Sequence, residues 1–187
     1  MRQTSKPGPG YYLSFLLIGP LTYLAHELGH WAGGEAVGVD MWMTLNKAGA
    51  VDDSMPGRLE AIIIAASGPV VTLVIAVIAW QLATTRRSFI AYGVLYFQLM
   101  FRLVAGGITL AGNHPNDEAA VGVMLGIGAY PLTIAMSLLL LALTWDTARR
   151  LRPGLLANFA GYALSSLVIT VFVFADSLMR GADIRLL

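Results

Sequence analysis

Residues 11–37 read YYLSFLLIGPLTYLAHELGHWAGGEAV, a long apolar run that carries His-Glu-Leu-Gly-His at positions 26–30. Residues four positions apart on a helix lie on one face, so this spacing allows His26 and His30 to hold a single metal ion. Glu27 lies beside that face, where a carboxylate can handle a proton of a metal-bound water. Ionisable side chains are costly in hydrocarbon and are functional by default. The segment therefore predicts a metal site on an apolar helix, with a buried, hydrogen-bonded histidine pair as the alternative.

The composition indicates an integral membrane protein. Hydrophobic residues make up 57% of the 187 residues and charged residues only 12%, which is about half the charged fraction of an ordinary soluble domain. The formal net charge is +1, so nothing indicates nucleic acid as a partner. The chain has no cysteine, which excludes disulfides and thiolate metal ligands.

Five apolar segments each approach the length that spans a bilayer. They cover residues 11–37, 61–85, 88–112, 119–145 and 155–175. We predict one domain over residues 1–187, an all-α polytopic membrane bundle of about five transmembrane helices. Pro20 and Pro131 are expected to kink or open the first and fourth helices. Gly122 and Gly126 allow a close helix contact in the fourth.

The connection between the first two segments, residues 39–60, differs from the apolar runs. Residues 40–45 alternate loosely in polarity, whereas Asp52, Asp53 and Pro56 are typical of turns. We predict a short interfacial strand or β-hairpin here, with a solvated loop as the alternative.

A catalytic zinc usually has three protein ligands and one open position, so two histidines leave one ligand to be found. Alternating passage through a bilayer returns the end of the third segment to the side of the HELGH motif. There the chain reads Asn-His-Pro-Asn-Asp-Glu at positions 113–118. We predict Asp117 as the third ligand because a carboxylate completes a His₂-carboxylate zinc site, with His114 and Glu118 as alternatives. Asn116 or Asp117 is also suited to capping the next helix.

These motifs resemble the site-2 protease family of intramembrane zinc metalloproteases, the M50 peptidases. HELGH at 26–30 matches the HExxH of the family, and Ser-Gly-Pro at 67–69 resembles the Ala/Ser-Gly-Pro that opens its next core helix. Asn113, Pro115 and Asp117 loosely match its segment of Asn, Pro and a ligand Asp. The resemblance covers most of the chain. Where the family usually has Leu-Asp-Gly around the ligand, this chain has Asn-Asp-Glu.

The resemblance implies a zinc-dependent endopeptidase that hydrolyses peptide bonds of transmembrane proteins or peptides within the lipid bilayer. The metal ligands are then His26, His30 and Asp117. Glu27 becomes the general base, and Asn113 binds the substrate backbone or stabilises the oxyanion. A helical substrate must unwind before attack because its amides are internally bonded. The resemblance further implies that an edge strand after the motif helix holds the unwound segment by strand addition.

Two other functions fit the sequence. The first is a protease-like structural or regulatory subunit of a membrane complex; short loops also suit a partner membrane protein that supplies specificity. The intact Glu27 favours an enzyme, because zinc binding alone does not need it. The second is a proton or metal-ion transporter that uses the same polar residues as a relay. It ranks last, because Gln81 and Gln98 are almost the only polar residues toward the opposite end.

Basic residues outside the motif predict the orientation of the protein in the membrane and one buried contact. Arg102 interrupts the third segment and is expected either to pair with Asp117, Glu118 or a substrate carbonyl from the bundle interior, or to reach an interface. Most other basic residues flank the segments on the side opposite the motif. They are Arg2, Lys6, Arg86, Arg87, Arg149, Arg150 and Arg152. The positive-inside rule then places the motif on the non-cytoplasmic side of a multi-pass protein of the cell membrane, whereas the family resemblance implies the cytosolic side.

Overall fold

The computed structural model describes residues 6–51 and 56–187. Over these residues the chain forms six helices and one β-hairpin. In chain order they are α1 (Pro9–Ala36), β1 (Met41–Met43), β2 (Ala48–Ala50), α2 (Arg58–Arg86), α3 (Phe89–Leu110), α4 (Asp117–Leu125), α5 (Tyr130–Leu151) and α6 (Gly154–Gly181). The predicted all-α bundle with a small hairpin after the first helix is therefore confirmed.

Four of the described helices are long and apolar enough to cross a membrane: α2, α3, α5 and α6. The chain is thus a multi-pass membrane protein by the length and hydropathy of its helices. α1 has 28 residues, and its first position is suited to Pro9 because the missing N–H needs no partner there. α1 carries the polar residues of the motif and is not one of these four helices. Pro20 lies inside α1, which continues through it to Ala36.

The fourth apolar segment does not form one helix, so the predicted single span over residues 119–145 is wrong. Gly126 has φ of 80° and ends α4, because only glycine adopts this left-handed conformation at little cost. Gly122 faces the carbonyl of Gly128 in the following turn rather than a neighbouring helix. Pro131 lies in the first turn of α5, where proline does not kink a helix.

The hairpin follows α1 directly and is anchored to its last turns. The carboxylate of Glu35 accepts a hydrogen bond from the backbone N–H of Met41 at 2.9 Å, and the Trp31 indole donates to the Met41 carbonyl at 3.1 Å. β1 and β2 are antiparallel with Trp42 opposite Gly49. The turn residues Asp52 and Asp53 of the sequence prediction lie outside the described residues.

Contacts between the helices show which ends meet. The Tyr11 hydroxyl donates to the Ala157 carbonyl at 3.2 Å, and the Trp80 indole donates to the Asp146 carboxylate at 3.0 Å. The start of α1, the ends of α2 and α5 and the start of α6 therefore share one end. We call this the basic end, since it carries Arg86, Arg87, Arg149, Arg150 and Arg152. Arg2 lies outside the described residues.

At the opposite end, the motif end, the last turns of α1 meet the hairpin, the link between α3 and α4, and the last turns of α6. An aromatic core lies between the two ends, where Phe15, Tyr92 and Phe97 are fully or almost fully buried. α4 packs between α2 and α5, and the Arg58 guanidinium donates to the Met124 carbonyl. This contact holds the end of α4 beside the start of α2.

Candidate metal centre

His26 and His30 aim their Nε2 atoms at the same point. Both side chains are buried, at 3% and 7% exposure, and their Nε2 atoms are 3.2 Å apart. The Nδ1 of His30 is 2.7 Å from the Ile64 carbonyl, and the Nδ1 of His26 is 2.9 Å from the Thr72 hydroxyl. A carbonyl only accepts hydrogen bonds, so His30 carries its proton on Nδ1. Its Nε2 is then unprotonated and available as a candidate metal ligand.

Asp117, the first residue of α4, closes this arrangement. Its Oδ2 is 3.1 Å from the Nε2 of His26, and its Oδ1 is 3.5 Å from the Nε2 of His30. Ligand atoms about 2.0–2.2 Å from a zinc ion lie roughly 3.3 Å apart in a tetrahedron. The three side chains offer ligand atoms that lie within 4.8 Å of one another, so they fit one metal ion.

His114 and Glu118, the two predicted alternatives for the third ligand, do not join the cluster of His26, His30 and Asp117. His114 is exposed in the link between α3 and α4. Glu118 is buried, but one of its oxygens accepts from Arg102. Asn116, rather than Asp117, caps α4, because its side chain accepts from the Ala119 N–H at 2.9 Å. The carboxylate of Asp117 is therefore left to face the histidines.

Arg102 fixes the orientation of Asp117. Its side chain is 2% exposed, and its Nη2 donates to the Oδ2 of Asp117 at 3.1 Å and to Glu118. The expected pairing inside the bundle is thus confirmed, and Arg102 does not reach an interface. A buried guanidinium needs such partners, because an unpaired charge in a dry interior is strongly unfavourable.

Electrostatics keep Asp117, which lies outside the four apolar spans, in its charged form. Desolvation alone would raise the pKa of the Asp117 carboxyl, but the neighbouring imidazoles of His26 and His30 and the charge of Arg102 lower that pKa well below its ordinary value. The ionised carboxylate is the form that binds a metal.

The Ser-Gly-Pro sequence at positions 67–69 has a physical role at the site. A Cβ on Gly68 would collide with the imidazole of His30, and a Cβ on Gly29 would lie 2.9 Å from the Ser67 carbonyl oxygen. Glycine at both positions lets α1 and α2 approach closely enough to seat the His30 ring. Pro69 has no N–H, so the Ala65 carbonyl lacks the donor that a helix normally supplies four residues later.

Two cavities flank the site, and Glu27 lines both. One has a volume of about 400 Å³ and extends toward α3, His114 and Arg180. The other has a volume of about 300 Å³ and extends past His30 toward Ala65 and Ala48. Both cavities are also lined by the candidate ligand Asp117 and by Asn46 and Lys47 of the hairpin turn. The two cavities thus meet at Glu27 and the three clustered side chains, beneath the hairpin turn.

Asn113 is the predicted site residue that the structure does not bring to this cluster. It is exposed in the link after α3, where its backbone N–H donates to the Ile108 carbonyl at 3.2 Å. Asn116 lines the larger cavity instead, but its side-chain oxygen is used by the α4 cap and by the Thr133 hydroxyl. A role for Asn113 in substrate binding stays a prediction.

Sequence reasoning missed two residues around the site. Thr72 lies four residues after Gly68 and so on the same helix face, a spacing that could have indicated its contact with His26. Asp176 is 0% exposed and directly follows the fifth apolar segment. A carboxylate at that position of an apolar helix is itself a signal of a buried polar contact.

Comparison with protein-family models gave no match, and searches among curated proteins and solved structures gave none either. The likeness to site-2 proteases therefore rests on the motifs of the sequence alone.

Proposed function

We propose that the protein is an intramembrane zinc-dependent endopeptidase that hydrolyses peptide bonds of membrane-spanning proteins. The observation that carries this proposal is the cluster of His26, His30 and Asp117 beside the buried Glu27, at the meeting point of two cavities. Two imidazoles and a carboxylate are the ligand set of a catalytic zinc site that keeps an open position. A purely structural zinc site would need neither Glu27 nor the cavities.

The residues divide the chemistry between them. His26, His30 and Asp117 would hold zinc, which when bound supplies a Lewis acid that acidifies water and polarises a peptide carbonyl. Glu27 takes one proton from the attacking water and passes it to the nitrogen of the leaving amine as the peptide bond breaks. Thr72 and the Ile64 carbonyl keep both imidazole rings oriented. Arg102 keeps the Asp117 carboxylate in place.

The hairpin offers one edge to an extended substrate. The outer edge of β1 is taken by the C-terminal residues of the chain, because the Leu186 N–H donates to the Met43 carbonyl at 2.7 Å and the Met43 N–H to the Leu187 carbonyl at 3.2 Å. Among the described strands, β2 pairs with β1 alone, and Ala48 of β2 lines the smaller cavity. An unwound substrate segment would pair with β2 as an added strand and would then lie beside the Ala65 carbonyl.

The setting of this reaction follows from the membrane helices. The substrate is a transmembrane protein or peptide in the lipid bilayer, and a partner membrane protein would supply specificity that the short loops lack. The basic end would face the cytoplasm of a cell membrane, so the site would open on the opposite side.

The test is cleavage of a transmembrane peptide by the purified protein, together with metal analysis. Glu27→Gln is expected to retain zinc and to lose at least about a thousandfold in kcat, because the general base is gone. His26→Ala and Asp117→Ala are expected to lose zinc. His114→Ala, a matched control on the cavity wall, should keep both zinc and activity. Equal zinc in all variants would defeat the metal site, and zinc without cleavage by the parent would favour a regulatory subunit.

A further inference from the structure

The hairpin turn, residues 44–47, is held over the metal site by a helix that contributes no ligand. Asp176 of α6 is 0% exposed and accepts hydrogen bonds from the Asn46 backbone N–H at 3.0 Å and from the Thr44 hydroxyl. Its second oxygen accepts from Arg180, one turn later, at 2.7 Å. One carboxylate thus connects a membrane-length helix with the turn above the cavities.

Asp176 contacts the turn of the hairpin, which is the part that lies nearest the metal site. Thr44 is 1% exposed, and its N–H donates to the Lys47 carbonyl at 2.7 Å, which closes the turn. Asn46 and Lys47 then line both cavities opposite Glu27. A shift of these two residues would change the width of both cavities without moving any metal ligand.

The chain after Asp176 makes a second attachment to the same hairpin. Beyond α6, Leu186 and Leu187 pair with Met43 on the outer edge of β1, and the Arg185 guanidinium lies 5.2 Å from the centre of the Trp42 ring. The hairpin is therefore fastened on three sides, by Glu35 of α1, by Asp176 of α6 and by the last residues of the chain. Of these, only Asp176 contacts the turn itself.

We propose that Asp176 is a positioning residue: by binding Thr44 and Asn46 it sets the height of the hairpin turn above the metal site, and so how tightly an extended substrate segment is held. Hydrogen bonds to a buried carboxylate are stronger than those between neutral groups. Losing Asp176 would leave the Asn46 N–H without its acceptor and the Thr44 hydroxyl with only the more distant Lys47 carbonyl, at 3.3 Å. Asp176 acts on substrate binding, whereas metal binding belongs to α1 and α4.

The first arm of the test measures how accessible the residue next to the turn becomes when the contacts of Asp176 are removed. The chain has no cysteine, so Met43→Cys, at a side chain that is 3% exposed, provides a single thiol for a water-soluble maleimide. Adding Asp176→Ala or Thr44→Val is expected to raise the labelling rate about tenfold, because either change frees the turn. Thr44→Val removes only one hydroxyl and serves if Asp176→Ala fails to fold.

Asp146→Ala is the matched control for this arm. Asp146 is also a carboxylate near the end of a membrane-length helix, with an arginine four residues later and a donor from another helix, but it lies at the basic end. It should leave the labelling of the Met43→Cys protein unchanged. Equal labelling of the Met43→Cys protein with and without Asp176→Ala or Thr44→Val would overturn the proposal.

The second arm rests on the proposed peptidase function. In Asp176→Ala we expect zinc content to be unchanged and KM for a transmembrane peptide to rise about tenfold, with a smaller change in kcat. Asp176→Asn keeps one oxygen acceptor and should restore part of the loss in KM. A fall in kcat at constant KM would contradict a role in substrate binding. If the parent cleaves no peptide, the peptidase function fails, while the labelling arm still decides the position of the turn.

Discussion

The two ends of the bundle carry the same short pattern, an aspartate with an arginine four residues later, and use it in different ways. Asp176 at the motif end is 0% exposed and joins α6 to the hairpin turn. The Asp146 side chain at the basic end is 37% exposed and joins α5 to Trp80 of α2. The two Asp–Arg pairs look equivalent in the local sequence. Because Asp176 is buried and Asp146 is partly exposed, losing the first pair should lower the stability of the protein, whereas losing the second should change it little.

The same contrast applies to the whole of each end. At the motif end, charged side chains pair inside the bundle, as Arg102 does with Asp117 and Glu118. At the basic end, most of the arginines are exposed to solvent. Substitutions at the motif end should therefore lower stability and zinc binding far more than substitutions at the basic end. The predictions below run from the largest expected effect to the smallest.

The largest effect is expected from Arg102→Leu, which leaves the Glu118 carboxylate buried without its cation. Removing one partner of a buried ion pair costs about 3–5 kcal/mol, so the thermal unfolding midpoint in detergent should fall clearly. The double variant Arg102→Leu with Glu118→Leu should recover much of this loss, because neither buried charge remains. If the double variant is no more stable than the single one, the pair does not account for the stability of this region.

Gly68→Ala is expected to come next, since its new Cβ would enter the space of the His30 imidazole. Overpacking of this kind costs about 1–3 kcal/mol and should displace the ring, so zinc bound per molecule should drop. Gly107→Ala is the control, because a Cβ on that α3 glycine meets no atom within 4 Å. Normal zinc content in Gly68→Ala would show that His30 tolerates the closer approach.

Thr72→Val tests the contact that orients the candidate ligand His26. The variant keeps the shape of the side chain but removes the hydroxyl that lies 2.9 Å from the Nδ1 of His26. Loss of a group that orients a metal-binding histidine typically lowers affinity about 10–100-fold, which competition with a chelator can measure. Thr170→Val, which removes an exposed hydroxyl bonded only within α6, should leave zinc affinity as it is. Equal zinc affinities of the Thr72→Val and Thr170→Val proteins would show that Thr72 does not support His26.

Arg150→Ala at the basic end is expected to have the smallest effect. It breaks an exposed pair with Asp146, and such pairs contribute about 0.3–0.5 kcal/mol. The unfolding midpoint and the zinc content should both stay within error of the parent. A loss of stability comparable to that of Arg102→Leu would erase the distinction between the two ends.

Much of the fold could be predicted because hydropathy and helix periodicity are local properties of a chain. The apolar segments, the hairpin after α1 and the return of residues 113–118 to the side of the motif all follow from lengths and alternation. The fourth segment could not be predicted, because its hydropathy is continuous across Gly126 and says nothing about the positive φ that ends α4. The likeness of the motifs to site-2 proteases stays a prediction until zinc and cleavage are measured.

The sequence alone determined which residues are able to bind a metal, because the four-residue spacing of His26 and His30 places both on one face of any helix. The tertiary structure decided their partners. Three of these contacts join residues more than 30 positions apart: Asp117 with His30, His30 with Gly68, and Asp176 with Asn46 of the hairpin turn. Such contacts depend on how whole helices pack, and no local pattern in the chain encodes that packing.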